Sequence, residues 1–269
     1  MSAAPDRPAP RAWRPPTIFG SYTLRRVVFW SIVLYVIATV LTLNVDGQRV
    51  MSGFGRAGDI FSRMFPPDFS RSGLLWRGMI ESIQIAIIST VVGIVFAIPL
   101  GVAAARNMAA KPIYLAARGF IVVGRTFHEI IIAIFFVKLF GFGPLAGVLT
   151  LAYGSTTFLA KTLAEDIENM KMGPIEALRA TGASFSQIIA FGVMPQVIVK
   201  QIGVYIYRLD SNLRHSTIIG IVGAGGIGQT LSASFTKYDY DFACAILISI
   251  AVLVALGEIF SDYVRRRLR

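Results

Sequence analysis

Cysteine is nearly missing from this sequence. Cys244 is the only one in 269 residues, which excludes a disulfide framework or a cysteine-rich metal centre within one chain. Charge is scarce as well: Asp, Glu, Lys and Arg make up 15% of the residues, against about 25% in soluble domains. Acidic side chains are the rarer kind, with 15 Asp+Glu facing 26 Lys+Arg and a formal net charge of +11. No G-x-x-x-x-G-K-[ST] phosphate loop occurs, so the chain is not expected to hydrolyse ATP itself. His128-Glu129 matches half of a zinc-protease motif, but position 132 is Ile and the only other histidine, His215, is far away. Neither a metal site nor a Ser/His/Asp arrangement is expected. Gly223-Ala-Gly225-Gly-Ile-Gly228 has the G-x-G-x-x-G spacing of dinucleotide-binding turns. It lacks the preceding strand and the acidic residue that such a site needs, so a flexible turn is the better reading.

What the chain has in excess is apolar surface. Hydrophobic residues reach 55% and the mean hydropathy is +0.65. A soluble fold of this length has no use for that surplus, and the composition points to an all-α, polytopic membrane protein. A nucleic-acid binder would also be basic, but it would not place its charges between long apolar runs, so no nucleic-acid partner is expected. Spanning helices need about 20 mostly apolar residues. The candidates are Val27–Leu43, Ser82–Ala105, Phe120–Phe140, Leu139–Ala160, Val197–Ile221, and Phe242–Gly257 continuing to about Val264. The first is longer than the apolar core of a signal peptide and runs into Asn44-Val45-Asp46, so it reads as retained. Lys and Arg concentrate in the N-terminal tail, in 106–118, in 161–200 and after Val264, which places those pieces and both termini in the cytoplasm. The expected organisation is a disordered basic tail (1–26), a first span with an extracytoplasmic loop (27–78), a five-helix core (79–265) and a short basic end (266–269).

Charges inside the spans mark functional candidates, because an ionisable group in hydrocarbon must face protein or water. Arg125 and Glu129 stand four residues apart with His128 beside them, and Asp210 and Arg214 repeat the spacing. Such pairs read first as local salt bridges. Arg208 and His215 have no local partner and stay open between a structural role and a solute path. The path candidates are therefore Arg125, His128, Glu129, Arg208, Arg214 and His215. Gly223, Gly225, Gly226 and Gly228 are candidates for a non-helical gate turn at the extracytoplasmic mouth.

One amphipathic segment, Glu165–Gln196, sits between the fourth and fifth spans. Pro174 suits a first helical turn, Gly182-Ala183 permits close approach, and Ser184 can cap a following helix, Phe185–Val193. Two short helices on the cytoplasmic face are expected. With Glu176, Ala177, Gly182 and Pro195 at matching positions, the segment resembles the E-A-A-x-x-x-G-(nine)-I-x-L-P coupling loop of permease subunits of ABC importers. Leu178, Gly192 and Met194 depart from that pattern. Ser211–Gly228 and Arg125-x-x-x-Glu129 are similar to the phosphonate branch, and the likeness covers about residues 80–265. The resemblance implies a homodimeric permease in the inner membrane that carries a small oxyanion by alternating access. Its implied partners are two cytoplasmic ATPase subunits, which would hold the ATP and Mg, and an extracytoplasmic substrate-binding protein, all in a lipid bilayer. It assigns Glu176, Ala177, Gly182, Ala183 and Pro195 to the ATPase contact, and no cofactor to this chain. The competing reading is a secondary transporter or channel for a small anion, which would not explain the cytoplasmic segment.

Overall fold

The computed structural model describes residues 22–43 and 46–267. The expected disordered tail lies outside them as far as residue 21. The described residues are helical, with no strand among them. In order they are α1 (Tyr22–Thr42), α2 (Gly47–Met64), α3 (Ser72–Ala103), α4 (Lys111–Thr126), α5 (Glu129–Phe140) and α6 (Pro144–Glu168). Then follow α7 (Gly173–Ala180), α8 (Phe185–Gln187), a π-helical turn (Ile188–Val193), α9 (Met194–Gly220), α10 (Gly226–Thr236) and α11 (Tyr240–Arg267). The chain divides into two compact units, residues 1–59 and 60–269.

In the first unit, α1 buries none of its residues and is apolar nearly all round, the pattern of a helix solvated by lipid. It already begins at Tyr22, inside the stretch expected to be tail. The expected loop 44–77 contains α2, whose Arg49, Arg56 and Arg63 recur every seven residues and so share one face.

The second unit is built around α3 and α6. Their contact follows from a stripe of small residues. Gly78, Ser82, Ala86, Gly93, Ala97 and Gly101 are all buried on α3 and follow one another at steps of four or seven residues, which keeps them on one side of the helix. Small side chains let two helix backbones approach, which is how helices associate where the hydrophobic effect is weak. A side chain on Gly93 would strike Ser155 of α6, and one on Gly101 would come within 2.9 Å of Leu163 Cδ2. Among the described residues, four helices are long and apolar enough to cross a membrane: α1, α3, the run Phe185–Gly220 and α11. The pair α4–α5 makes a fifth candidate, bent by 92°. At 25 residues α6 has the length, but it carries Thr150, Ser155 and Thr157 in buried positions. A helix wrapped by α3, α4, α5 and α9 meets protein and not lipid, so its faces need not be apolar.

Two expectations are corrected. The run 120–140 is not one continuous helix, because Phe127 and His128 are extended (ψ 132° and 142°) and separate α4 from α5. His128 caps α5, its Nδ1 accepting the Ile130 N–H at 3.3 Å, and Glu129 sits in the first turn, where a negative charge suits the helix dipole. The second short helix of the coupling segment is also not a separate element. It runs on through Pro195 into the fifth span as one helix, Phe185–Gly220, with Pro195 just after the π-helical turn Ile188–Val193, an irregularity of the hydrogen-bond ladder where a proline can be accommodated.

Candidate functional site

The break between α4 and α5 opens a cavity of about 450 Å³. Gly124, Arg125, His128 and Glu129 line it from the broken helix, Gly154, Thr157 and Phe158 from α6, and Arg208 and His215 from α9. Five of the six path candidates thus meet at one place. Arg208 and His215 are seven residues apart and share a face of α9, two helical turns from each other. Arg214 lies on another face and stays outside the cavity, held by Asp210 at 3.4 Å.

The expected Arg125–Glu129 pair does not form, because the helix that would have stacked them is broken. Glu129 instead accepts a hydrogen bond from Arg208 Nη2 at 2.8 Å, and His215 Nδ1 lies 2.6 Å from its other oxygen. Arg208 and His215, which have no partner nearby in sequence, share this one carboxylate. The Arg208 side chain is 7% exposed and that of Glu129 23%. A guanidinium so enclosed is tolerable only when paired and hydrogen-bonded. Gly154 provides the room, since a Cβ there would come 2.8 Å from Glu129 Oε1 and 3.0 Å from Arg208 Nη2.

Behind the pair runs a buried polar chain. Arg208 Nε donates to Ser155 Oγ at 2.9 Å, and Asn212 Nδ2 donates to Ser155 Oγ and to Thr90 Oγ1, each at 2.8 Å. Thr90 Oγ1 in turn donates to the Ala86 carbonyl at 2.6 Å. These bonds tie α3, α5, α6 and α9 together away from water, where satisfied networks fix one arrangement. Arg125 differs from Arg208. It is exposed and meets no carboxylate among the described residues, its guanidinium lying 5.6 Å from the centre of the Phe158 ring. With Arg125 and Arg208 set against Glu129, the cavity holds at least one cation in excess. Sequence reasoning missed Gly154, Ser155, Phe158 and Asn212. The signal available was a small-polar pair, Gly154-Ser155, inside an otherwise apolar span.

The glycine candidates form a turn between α9 and α10. Gly223, Gly225 and Gly226 have φ of +94°, +83° and +72°, the left-handed region that glycine enters without penalty. Gly228 lies inside α10 and packs on Thr217 and Gly220. The stretch is buried and not lipid-facing. It is fastened by α3, where Glu81 Oε1 accepts the Gly226 N–H at 2.8 Å and Ser82 Oγ the Ile227 N–H at 3.0 Å. These two residues meet the open N–H groups of α10. Nearby, Arg71 ties the loop before α3 to the α10–α11 connection through Asp239 at 2.6 Å, stacking 3.9 Å from the Phe242 ring centre. The Arg71 guanidinium holds the Asp239 carboxyl below the usual carboxylate range.

At the other end of α9, Ile175 of α7 is buried against Ile188, Val193 and Leu163. Glu176 and Ala177 face outward, Ala183 is half-buried and Pro195 is exposed. Glu176 has no ion-pair partner among the described residues. Gly182, at φ +76°, closes α7 with a left-handed turn: its N–H bonds to Arg179 O at 3.0 Å and the Ala183 N–H to Leu178 O at 3.2 Å, a Schellman pattern. A Cβ there would meet nothing within 4 Å, so within this chain Gly182 serves a backbone shape. Two departures from the motif compensate each other. A Cβ on Gly192 would come 3.0 Å from Leu178 Cδ1, so the larger residue at 178 occupies the space that the smaller one at 192 leaves.

Residues 97–269 match the model of the family described as binding-protein-dependent transport system inner membrane component. The chain is 41% identical over 234 residues to a phosphate-import permease protein, PhnE, of Mycolicibacterium smegmatis, covering 86% of this chain and 44% of that protein. It is 36% identical over 226 residues to the phosphite transport system permease protein PtxC of Stutzerimonas stutzeri, covering 84% of this chain and 82% of that one. Among solved structures, an inward-facing MetNI methionine ABC transporter chain aligns with a TM-score of 0.64 at 24% identity, covering 75% of this chain and 99% of its own length. That likeness concerns the fold. By its match over residues 97–269, the chain belongs to the family of binding-protein-dependent transport system inner membrane components, the integral membrane permeases of ABC importers.

Proposed function

We propose that this permease carries a small phosphorus oxyanion, phosphonate or phosphite in kind, and that the cavity between α4, α5, α6 and α9 is part of its path. The observation that carries this reading is the excess positive charge of that cavity, with Arg125 lacking any carboxylate among the described residues. The names of the phosphate-import and phosphite relatives support the same solute class. Weak binding suits a conduit, since a solute held tightly would not leave. The working assembly in this reading is two copies of the chain, two cytoplasmic ATPase subunits holding ATP and Mg, and an extracytoplasmic binding protein. Both termini are cytoplasmic and transport proceeds by alternating access. The turn at Gly223, Gly225 and Gly226, with Gly228 packed in the first turn of α10 behind it, would act as the outer gate. The segment around Glu176, Ala177, Gly182, Ala183 and Pro195 would receive the ATPase, Glu176 offering its unpaired carboxylate to a cation on that subunit.

The test is uptake of phosphite, methylphosphonate and phosphate into vesicles holding the complete complex, beside the Glu176→Ala variant. ATP-dependent uptake of at least one anion is expected. The variant should bind the ATPase about 10–100-fold more weakly, the loss of one charge-assisted contact. Its ATP hydrolysis should respond less to the loaded binding protein. A wild-type complex that takes up none of the three would overturn the solute assignment, and full coupling in the variant would overturn the role of Glu176.

A further inference from the structure

The polar cavity ends at a single ring. Phe158 lines the 450 Å³ cavity on one side and a second cavity of about 550 Å³ on the other. The second lies toward the coupling end of α9 and includes Thr162, Lys200, Tyr207 and Arg265. Its cations are answered locally, Lys200 by Asp166 and Arg265 by Asp262. Three groups hold the ring. The Arg125 guanidinium stands 5.6 Å and the Arg208 guanidinium 5.5 Å from its centre, and the Tyr207 ring packs at 6.1 Å on the lower side. A cation over an aromatic face is attracted by the ring's negative quadrupole. Arg208 cannot leave, being held by Glu129 and Ser155, whereas Arg125 is exposed and free to turn.

We propose that Phe158 is the partition between two chambers of one solute path, and that Arg125 is the latch that an oxyanion releases. The inference rests on the upper cavity being the path. An apolar constriction resists a hydrated anion by excluding water, so the ring closes the passage while it stays in place. An oxyanion entering the upper chamber competes for the Arg125 guanidinium, because a charge-assisted hydrogen bond outweighs a cation–π contact. Once Arg125 swings to the anion, Phe158 keeps only one cationic contact and its rotation becomes easier.

The experiment uses the complete complex in vesicles, with methylphosphonate, phosphite and phosphate as probes. Phe158→Ala removes the partition, and Phe158→Leu keeps bulk but has no π face for the latch. Phe158→Ala should hydrolyse ATP without the binding protein and leak preloaded anion. Phe158→Leu, which loses both cation–π contacts, should raise basal hydrolysis about 30-fold, and Phe158→Tyr should behave as wild type. Should Phe158→Ala fail to assemble, Phe158→Leu alone decides. Wild-type basal hydrolysis and retention of anion in Phe158→Leu would overturn the proposal. A wild-type complex that transports no probe would instead remove the reading of the cavity on which it rests.

Discussion

Arg208 and Arg214 stand six residues apart on the same helix and live under different rules. The Arg208 side chain is 7% exposed and is paired to Glu129, 79 residues away in sequence. Arg214 is 48% exposed and reaches only Asp210, one helical turn back. From sequence the visible pair was Asp210–Arg214, and Arg208 had no evident partner. The buried arginine is nevertheless the one built into the molecule, because its desolvation must be offset by a partner and a hydrogen-bond network. The half-exposed one gains little from its neighbour. Spacing along a helix identifies cheap pairs. Expensive ones are identified by what surrounds them.

The largest effect should come from breaking the buried pair. Glu129→Ala leaves a guanidinium enclosed without its counter-charge, which costs about 3–5 kcal/mol. The purified permease should melt markedly earlier in detergent. The double variant Glu129→Ala with Arg208→Met should recover part of that loss, because no buried charge then remains. If the single and double variants melt alike, the charge pair does not organise the site. A smaller effect is expected at Arg71. Because its guanidinium depresses the folded-state Asp239 carboxyl, the contribution is complete above the unfolded carboxylate value of about 3.9. It is lost as pH falls through the lower folded value. Arg71→Ala should therefore melt below wild type near neutrality, by no more than about 3 °C, and the gap should close in acid. A gap that widens in acid would mean the wrong sign. Arg214→Ala should change the melting temperature least, its local pair being worth about 0–1 kcal/mol. A loss as large as that of Glu129→Ala would erase the distinction between the two arginines.

Much of the fold was legible in the residues. Runs without charge marked α3 and α11, and Glu165–Gln196 marked the coupling segment. Five of the six path candidates do line one cavity. The break at Phe127–His128 was not read, although Glu129 just ahead of an apolar run suits a first helical turn. It was hidden by the assumption that an apolar run is a single span. That assumption produced the false Arg125–Glu129 pair. Gly154 and Ser155 escaped for another reason. Their role exists only once α6 is packed against α5 and α9, and the small-polar pair by itself does not say which partner it meets.

The continuity of Phe185–Gly220 has a mechanical meaning. A helix of 36 residues is a rod about 54 Å long, with the coupling segment at one end, the glycine turn at the other and Arg208 between them. The peptide hydrogen bonds make such a rod stiff along its axis, with the π-helical turn at Ile188–Val193 as its one irregular joint. Tilting it about 5° about one end moves the far end by about 5 Å. In the proposed reading, a lever of that reach would turn a small displacement beside Gly182 into a larger one beside Gly223.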